Sequence, residues 1–399
     1  MKRFLVKITA LALSLVLISA CSKKQTVPYG DEETFKQKKE EISQIVKEKT
    51  PPNAVEDILK EMTLEEKVWQ MMFVAPEDIT GVSVAVSAGE TTKEALQKYP
   101  VGGIIYFGQN FENRDQTIKM IANTQEYSKI PLFISVDEEG GTVSRLGSKP
   151  QMGTTKQPSM FEIGETKDSD RAYKAGAQIA ADLKLLGFNV DFAPVADVLV
   201  SEDNVETQTR SFGYDAENVS AMVENLVKGL EDNGISATLK HFPGAGATTV
   251  DTHTGYSANP RTVEELRKTE FLPFASGIEA GADFVMVSHM TLTNATEEKL
   301  PCSLSEEVIC DMLIGELGFK GIVITDSLRM GAITEHYSPS EIGVMAVKAG
   351  NDMILMPKEL TATHKGIVDA VTSGEISEER INESVRKILR MKIEKGLWK

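Results

Sequence analysis

Eight short apolar runs, alternating with longer stretches of helical spacing, constrain this chain more than any other feature. The runs are WQMMFV (69–74), GGIIYF (102–107), LFISVD (132–137), NVDFAPVAD (189–197), SATLKHF (236–242), DFVMVSHM (283–290), GIVITDS (321–327) and DMILMP (352–357). Helical spacing fills 172–187, 218–234, 262–281 and 339–350, and each of these stretches ends on Gly, a common helix stop. Strands apolar on both faces need cover on both faces, and a parallel sheet with helical crossovers supplies it. An open doubly wound sheet competes with a closed (β/α)8 barrel. Asp137, Asp197, Lys240-His241, Ser288-His289 and Asp326 each end a different run. Polar groups gathered at one rim from many strand ends belong to a barrel. An open sheet concentrates them at one switch point, and no GxGxxG or Walker-type loop marks one. The expectation is a single-domain α/β fold, a (β/α)8 TIM-type barrel irregular at its edges. The residues after 357 are too few for a second sizeable domain.

The N-terminus sets the compartment. Lys2, Arg3 and Lys7 precede an apolar run from Ile8 to Ile18. That run is too short to span a bilayer and reads as a secretory leader. It ends Ile18-Ser19-Ala20-Cys21, which resembles the bacterial lipobox, where cleavage precedes a Cys that becomes lipidated. The predicted organisation is a signal peptide over 1–20, a lipidated Cys21 and polar tether over 21–53, partly helical at 35–49, and a barrel over 54–399. More than one acyl chain on Cys21 gives stable anchoring, so the expected location is the outward face of the cell membrane. Net charge is −16, with no basic patch interleaved with aromatics, which argues against nucleic acid as a partner. Cys302 and Cys310 lack metal-ligand spacing; free thiols are the default reading, and pairing is open to an exported chain.

The chemistry concentrates in KHFPGAGATTVDTH (240–253), a small-residue stretch that holds two of the five histidines. Asp251 and His253 stand two residues apart, so the carboxylate can orient the imidazole as a proton shuttle. No third ligand has helpful spacing, so neither a metal nor another cofactor is expected. Asp326, at the tip of an apolar strand, is open to four readings: nucleophile, general base, metal ligand or helix N-cap. Asp137, followed by Gly140-Gly141 and Arg145, joins Arg210 and Lys240 in a charged set. That set suits a polyhydroxylated or anionic substrate, or forms a rim salt-bridge network.

The stretches VDEEGGTVSRL, NVDFAPVADV, RSFG, KHFPGAG with DTH, and GIVITDSLRMGAI follow the order and spacing of glycoside hydrolase family 3. The chain resembles that family's single-barrel, NagZ-like β-N-acetylglucosaminidase branch from about residue 55 to its end. The resemblance implies a retaining double displacement. Asp326 matches the nucleophile, His253 the general acid/base and Asp251 its carboxylate partner. Asp137, Arg145, Arg210, Lys240 and His241 match positions that hold the terminal N-acetylglucosamine. The implied activity is exo-hydrolysis of terminal non-reducing β-N-acetylglucosamine from peptidoglycan fragments (muropeptides). Two departures stand out: Ala245 where the family usually has His, and Thr142 where it usually has Arg. Alternatives are a family 3 β-glucosidase or β-xylosidase, whose acid/base is usually a Glu on a second domain, a phosphorylase, and a non-catalytic sugar-binding lipoprotein.

Overall fold

The computed structural model describes residues 32–48, 51–204, 206–248 and 257–398. All eight apolar runs contain a strand: β1 Met72–Val74, β2 Gly103–Ile105, β3 Phe133–Val136, β4 Val190–Asp191, β5 Ser236–Phe242, β6 Phe284–Val287, β7 Ile322–Thr325 and β8 Ile354–Leu355. Every residue of every strand is buried, as cover on both faces requires. The strands lie side by side in the order β7-β6-β5-β4-β3-β2-β1-β8, each parallel to its neighbour. A further parallel bridge, Ile324 to Met353, joins β7 to the entry of β8. The ring thereby closes and the open sheet is excluded.

Two elements depart from the sequence pattern, each at a proline. The run 189–197 yields only the two-residue β4, because Pro194 has no N–H to give a ladder. Beyond it only Val195 bridges to Lys240. The single helix expected over 262–281 is two, Val263–Lys268 and Phe271–Glu279. In one continuous helix, Pro273 would collide with the carbonyl of Thr269 and leave it without its bond. The break falls at Thr269, with φ −135° and ψ −75°, and Pro273 sits in the first turn of the second helix. Elsewhere local chemistry and fold agree. Thr63 and Glu66 form a capping box at the helix leading into β1, and Ser338 and Glu341 form another before β8.

Aromatic side chains fill the N-terminal end of the barrel, where Phe133 and Phe284 meet edge to face with ring centres 5.2 Å apart. Lys392, from the C-terminal helix Glu378–Glu394, reaches in beneath them. The helix Glu32–Glu48 lies against the body of the protein: Ile42 is buried and Lys39 donates to the Glu126 carbonyl. Cys302 and Cys310 are both free thiols, the first buried. Residues 1–31, Cys21 among them, lie outside the described residues. Among the described residues no helix is long and apolar enough to cross a membrane.

Candidate active site

The site is built at the C-terminal rim, first from the segment that leaves β3. Extended backbone alternates its side chains, so Asp137 and Glu139 face the barrel mouth and Glu138 faces away. Glu138 is claimed by the next turn, accepting from the Ser144 hydroxyl and from the N–H groups of Leu146 at 2.8 Å and Gly147 at 3.0 Å. The turn is a tight hairpin, Glu138–Gly140 against Val143–Ser144. Gly141 sits at φ 57°, and a Cβ there would lie 2.8 Å from the Ser159 Cα, which excludes a larger residue.

β5 contributes the central cation. Lys240 Nζ stands 2.8 Å from Asp137 Oδ1 and 2.6 Å from Glu139 Oε1. Arg210 forks onto the same Glu139, Nε to Oε2 and Nη2 to Oε1 both at 2.8 Å. Such planar two-point pairing is the strong form of a charged hydrogen bond. Burial works against the charge on Glu139, but Arg210 and Lys240 outweigh it and hold the carboxyl well below the usual carboxylate range. The two cations gain reciprocally: burial opposes their charge, and Glu139, with Asp137 for Lys240, raises both. Arg145 is looser, with Nη2 3.8 Å from Asp137 Oδ2 and its side chain 35% exposed.

His241 is fixed from both sides. Its Nδ1 lies 2.8 Å from Asp197 Oδ2 and its Nε2 3.3 Å from Arg210 Nη2. Burial disfavours the imidazolium, yet the Asp197 carboxylate outweighs burial and raises the His241 pKa. Asp197 Oδ1 accepts two backbone N–H groups, from His241 at 3.1 Å and Ala245 at 2.7 Å. One carboxylate thus ties His241 to the start of the 245–248 segment.

Asp326 follows β7 directly. Its N–H donates to Val287 O at 2.9 Å, and its Oδ1 accepts from Ser327 N at 2.6 Å. The next helix, Gly331–Thr334, has Met330 at its cap position, so the N-cap reading of Asp326 fails. The Asp326 charge acts on His241, which places the two on the same opening. Behind them His289 is buried, its Nε2 donating to Ser327 O at 2.9 Å and its Nδ1 accepting from Ser303 Oγ at 2.7 Å. That arrangement holds the turn that presents Asp326.

The structure therefore brings together Asp137, Arg145, Arg210, Lys240, His241 and Asp326. Asp251 and His253 lie outside the described residues. The chain on either side of them is well anchored. Asn204 Nδ2 donates to Ala245 O at 2.8 Å and Thr248 O at 3.0 Å, and Ala258–Asn259 pairs with Thr291–Leu292. Of the two departures, Ala245 is buried with its N–H and carbonyl both engaged, whereas Thr142 is exposed at the hairpin tip. The sequence reading missed Glu139 and gave Asp197 no role. Period-two alternation from Asp137 was the available signal for Glu139. Among the described residues no group of three or more His, Cys, Asp or Glu is placed to hold a metal.

With this geometry in view, the family comparison is direct. The model of the glycosyl hydrolase family 3 N terminal domain matches residues 63–391. A beta-hexosaminidase of Stenotrophomonas maltophilia (strain R551-3) is 34% identical over 287 residues, which is 68% of this chain and 82% of that protein. Beta-hexosaminidase A of Pseudoalteromonas piscicida is 30% identical over 75% of this chain, and the match spans 54% of that longer protein. The solved family 3 beta-N-acetylglucosaminidase from Paenibacillus sp. str. FPU-7 superposes with a TM-score of 0.79 at 37% identity, covering 84% of this chain and 63% of that one. The chain thus spans a little over half the length of some relatives and most of others. It belongs to glycosyl hydrolase family 3, and its barrel is that family's N terminal domain.

Proposed function

We propose that the chain is a retaining exo-β-N-acetylglucosaminidase that removes terminal non-reducing N-acetylglucosamine from peptidoglycan fragments. The observation that carries this reading is the rim cluster, in which Asp137, Glu139, Arg210 and Lys240 interlock beside Asp326. Lys240 has three N–H donors and Asp137 and Glu139 take two, so a third serves a sugar hydroxyl. Asp137 and Arg145 offer an acceptor and a donor at the more open side.

In the first step a carboxylate oxygen of Asp326 attacks the anomeric carbon, and the bond from that carbon to the leaving oxygen breaks. His253, partnered by Asp251, gives its proton to the departing oxygen. In the second step His253 takes a proton from water, the water oxygen attacks the same carbon, and the bond to Asp326 breaks. Two inversions give net retention. The Ser327 N–H fixes the attacking carboxylate, and the interlocked pairs fix the sugar, so orientation is set before reaction. Exo action suits the aromatic inventory. The chain has two tryptophans; Trp69 stacks on His364 in the body of the protein and Trp398 follows the C-terminal helix. A long polysaccharide groove paved with Trp therefore finds no material at the rim. The leader and Cys21 support export and lipid anchoring on the outward face of the membrane, where wall fragments are met.

The experiment is release of p-nitrophenol from the β-N-acetylglucosaminide and the β-glucoside side by side, with and without inorganic phosphate. Turnover of only the N-acetyl substrate, with free sugar as product, is expected. Preferred turnover of the glucoside, or accumulation of a sugar 1-phosphate, overturns the reading.

A further inference from the structure

One buried carboxyl at the site has no part in the two steps above. Asp191 is the last residue of β4 and is fully buried. Its Oδ1 accepts the backbone N–H of Glu138 at 3.0 Å. That N–H belongs to the one residue between Asp137 and Glu139, the two carboxylates that hold Lys240. The hairpin grips Glu138 by its side chain, and Asp191 grips its backbone. The segment is thus pinned from two directions at its midpoint.

The second oxygen of Asp191 has different surroundings. Oδ2 is buried without a hydrogen-bond partner among the described residues. Asp191 is in register with Val136 and Ala237, so apolar side chains flank it on its own face of the sheet. The charged groups facing Asp191 are Glu138 and Asp137 from the β3 segment and Lys240 from β5. Lys240 is already shared by Asp137 and Glu139. A buried carboxylate with one hydrogen bond and no cation of its own is far less stable than the neutral acid. Burial, followed in smaller measure by the like charges of Glu138 and Asp137, pushes Asp191 well above the carboxylate range.

We propose that Asp191 is a positioning residue of the sugar pocket: it keeps its proton and fixes the Asp137–Glu139 segment through the Glu138 N–H. The neutral acid suits the place, because a third negative charge behind Asp137 and Glu139 would compete for Lys240.

The test compares Asp191→Asn and Asp191→Leu in the full chain by steady-state kinetics on the p-nitrophenyl β-N-acetylglucosaminide, thermal melting and infrared spectroscopy. Asparagine keeps an acceptor for Glu138 and a donor where the proton sits. It is expected to hold kcat and KM within about twofold, and to remove one protonated-carboxyl stretch from the wild-type spectrum at neutral pH. Leucine keeps volume without an acceptor. It is expected to raise KM on the order of tenfold, with kcat changed far less, as loss of ground-state binding requires. Asparagine as damaging as leucine, or no stretch lost, overturns the assignment of the proton. Leucine with unchanged KM and only a lower Tm overturns the positioning role; should it not fold, Asp191→Ala takes its place. The kinetic arm rests on the proposed function and the infrared arm does not. A wild-type chain inert on this substrate would sink the proposed function, while the infrared comparison would still decide the proton.

Discussion

Both ends of the barrel bury a lysine inside the ring of strands, and they treat it in opposite ways. At the C-terminal rim, Lys240 is held by two carboxylates, one of which also takes the fork of Arg210. At the N-terminal end, Lys392 meets only a neutral partner among the described residues, donating to Gln70 Oε1 at 2.8 Å with its nitrogen 5.1 Å from the centre of the Phe133 ring. Burial is the same for both, since each is almost fully excluded from solvent. The outcome differs: the carboxylates outweigh burial at Lys240 and raise its pKa, and burial alone pushes Lys392 well below the ordinary ammonium range. Charge is favoured at the rim, where the proposed sugar site lies, and disfavoured where only packing is at stake.

The largest effect expected from breaking this contrast is at the rim. Asp326→Ala removes the proposed attacking atom and should lower turnover on the order of 10⁴-fold or more, with Tm little changed; a variant that retains most of its activity would unseat the nucleophile. Next comes Glu139→Gln, which leaves Arg210 and Lys240 short of a buried counter-charge. Removing one partner of a buried pair costs about 3–5 kcal/mol, read as a fall in the denaturant midpoint together with a raised KM. A stability change no larger than that of a surface substitution would mean the network is not cooperative. The same pair fixes a pH dependence. Glu139 has a folded pKa below its unfolded value, so its contribution is complete above the unfolded carboxylate range and is lost as pH falls through it toward the folded value.

A smaller effect is expected at Gly244, at φ 125°, where a Cβ would stand 2.7 Å from both Cβ and Cγ of Glu270. Gly244→Ala should cost on the order of 1–3 kcal/mol of backbone strain, and urea unfolding within error of wild type would refute the crowding. The smallest change belongs to the other end. Lys392→Met exchanges the amine for a thioether of similar reach and deprives Gln70 of a donor, so at alkaline pH, where the amine is uncharged in the folded and unfolded chain alike, the net change should stay within about 1 kcal/mol. The sign of its pH dependence is the sharper readout. With a folded pKa below the unfolded one, Lys392 costs nothing above the unfolded pKa and destabilises progressively as pH falls below it. Wild type should therefore lose stability relative to the Met variant on going from alkaline to neutral pH. A flat difference across that range would place a counter-charge beside Lys392.

Much of this architecture was legible in the sequence because parallel strands buried on both faces leave uninterrupted apolar runs. All eight runs hold their strands, and the polar residues ending them reach one rim. Lengths were less legible, since Pro194 and Pro273 cut elements whose hydrophobic pattern continues through them. The pairings could not be read at all. Lys240 and Asp137 are 103 residues apart, and Arg210 and Glu139 71. Glu139 was hidden by its neighbours, because in Asp-Glu-Glu only the alternation of the backbone says which two side chains share a face. Asp197 was visible as a strand-end carboxylate, but its hold on His241 and Ala245 exists only once β4 and β5 lie side by side.

The central claim, that the rim holds a covalent-intermediate glycosidase with Asp326 as its nucleophile, is tested most directly by trapping. The intact protein would be incubated with an activated fluorinated N-acetylglucosaminide, weighed by mass spectrometry and digested to locate the adduct. One sugar added per chain, mapped to the peptide carrying Asp326 and absent from Asp326→Asn, is the predicted result. An adduct on another carboxylate, or turnover in which the first-formed sugar is the α-anomer, would contradict it.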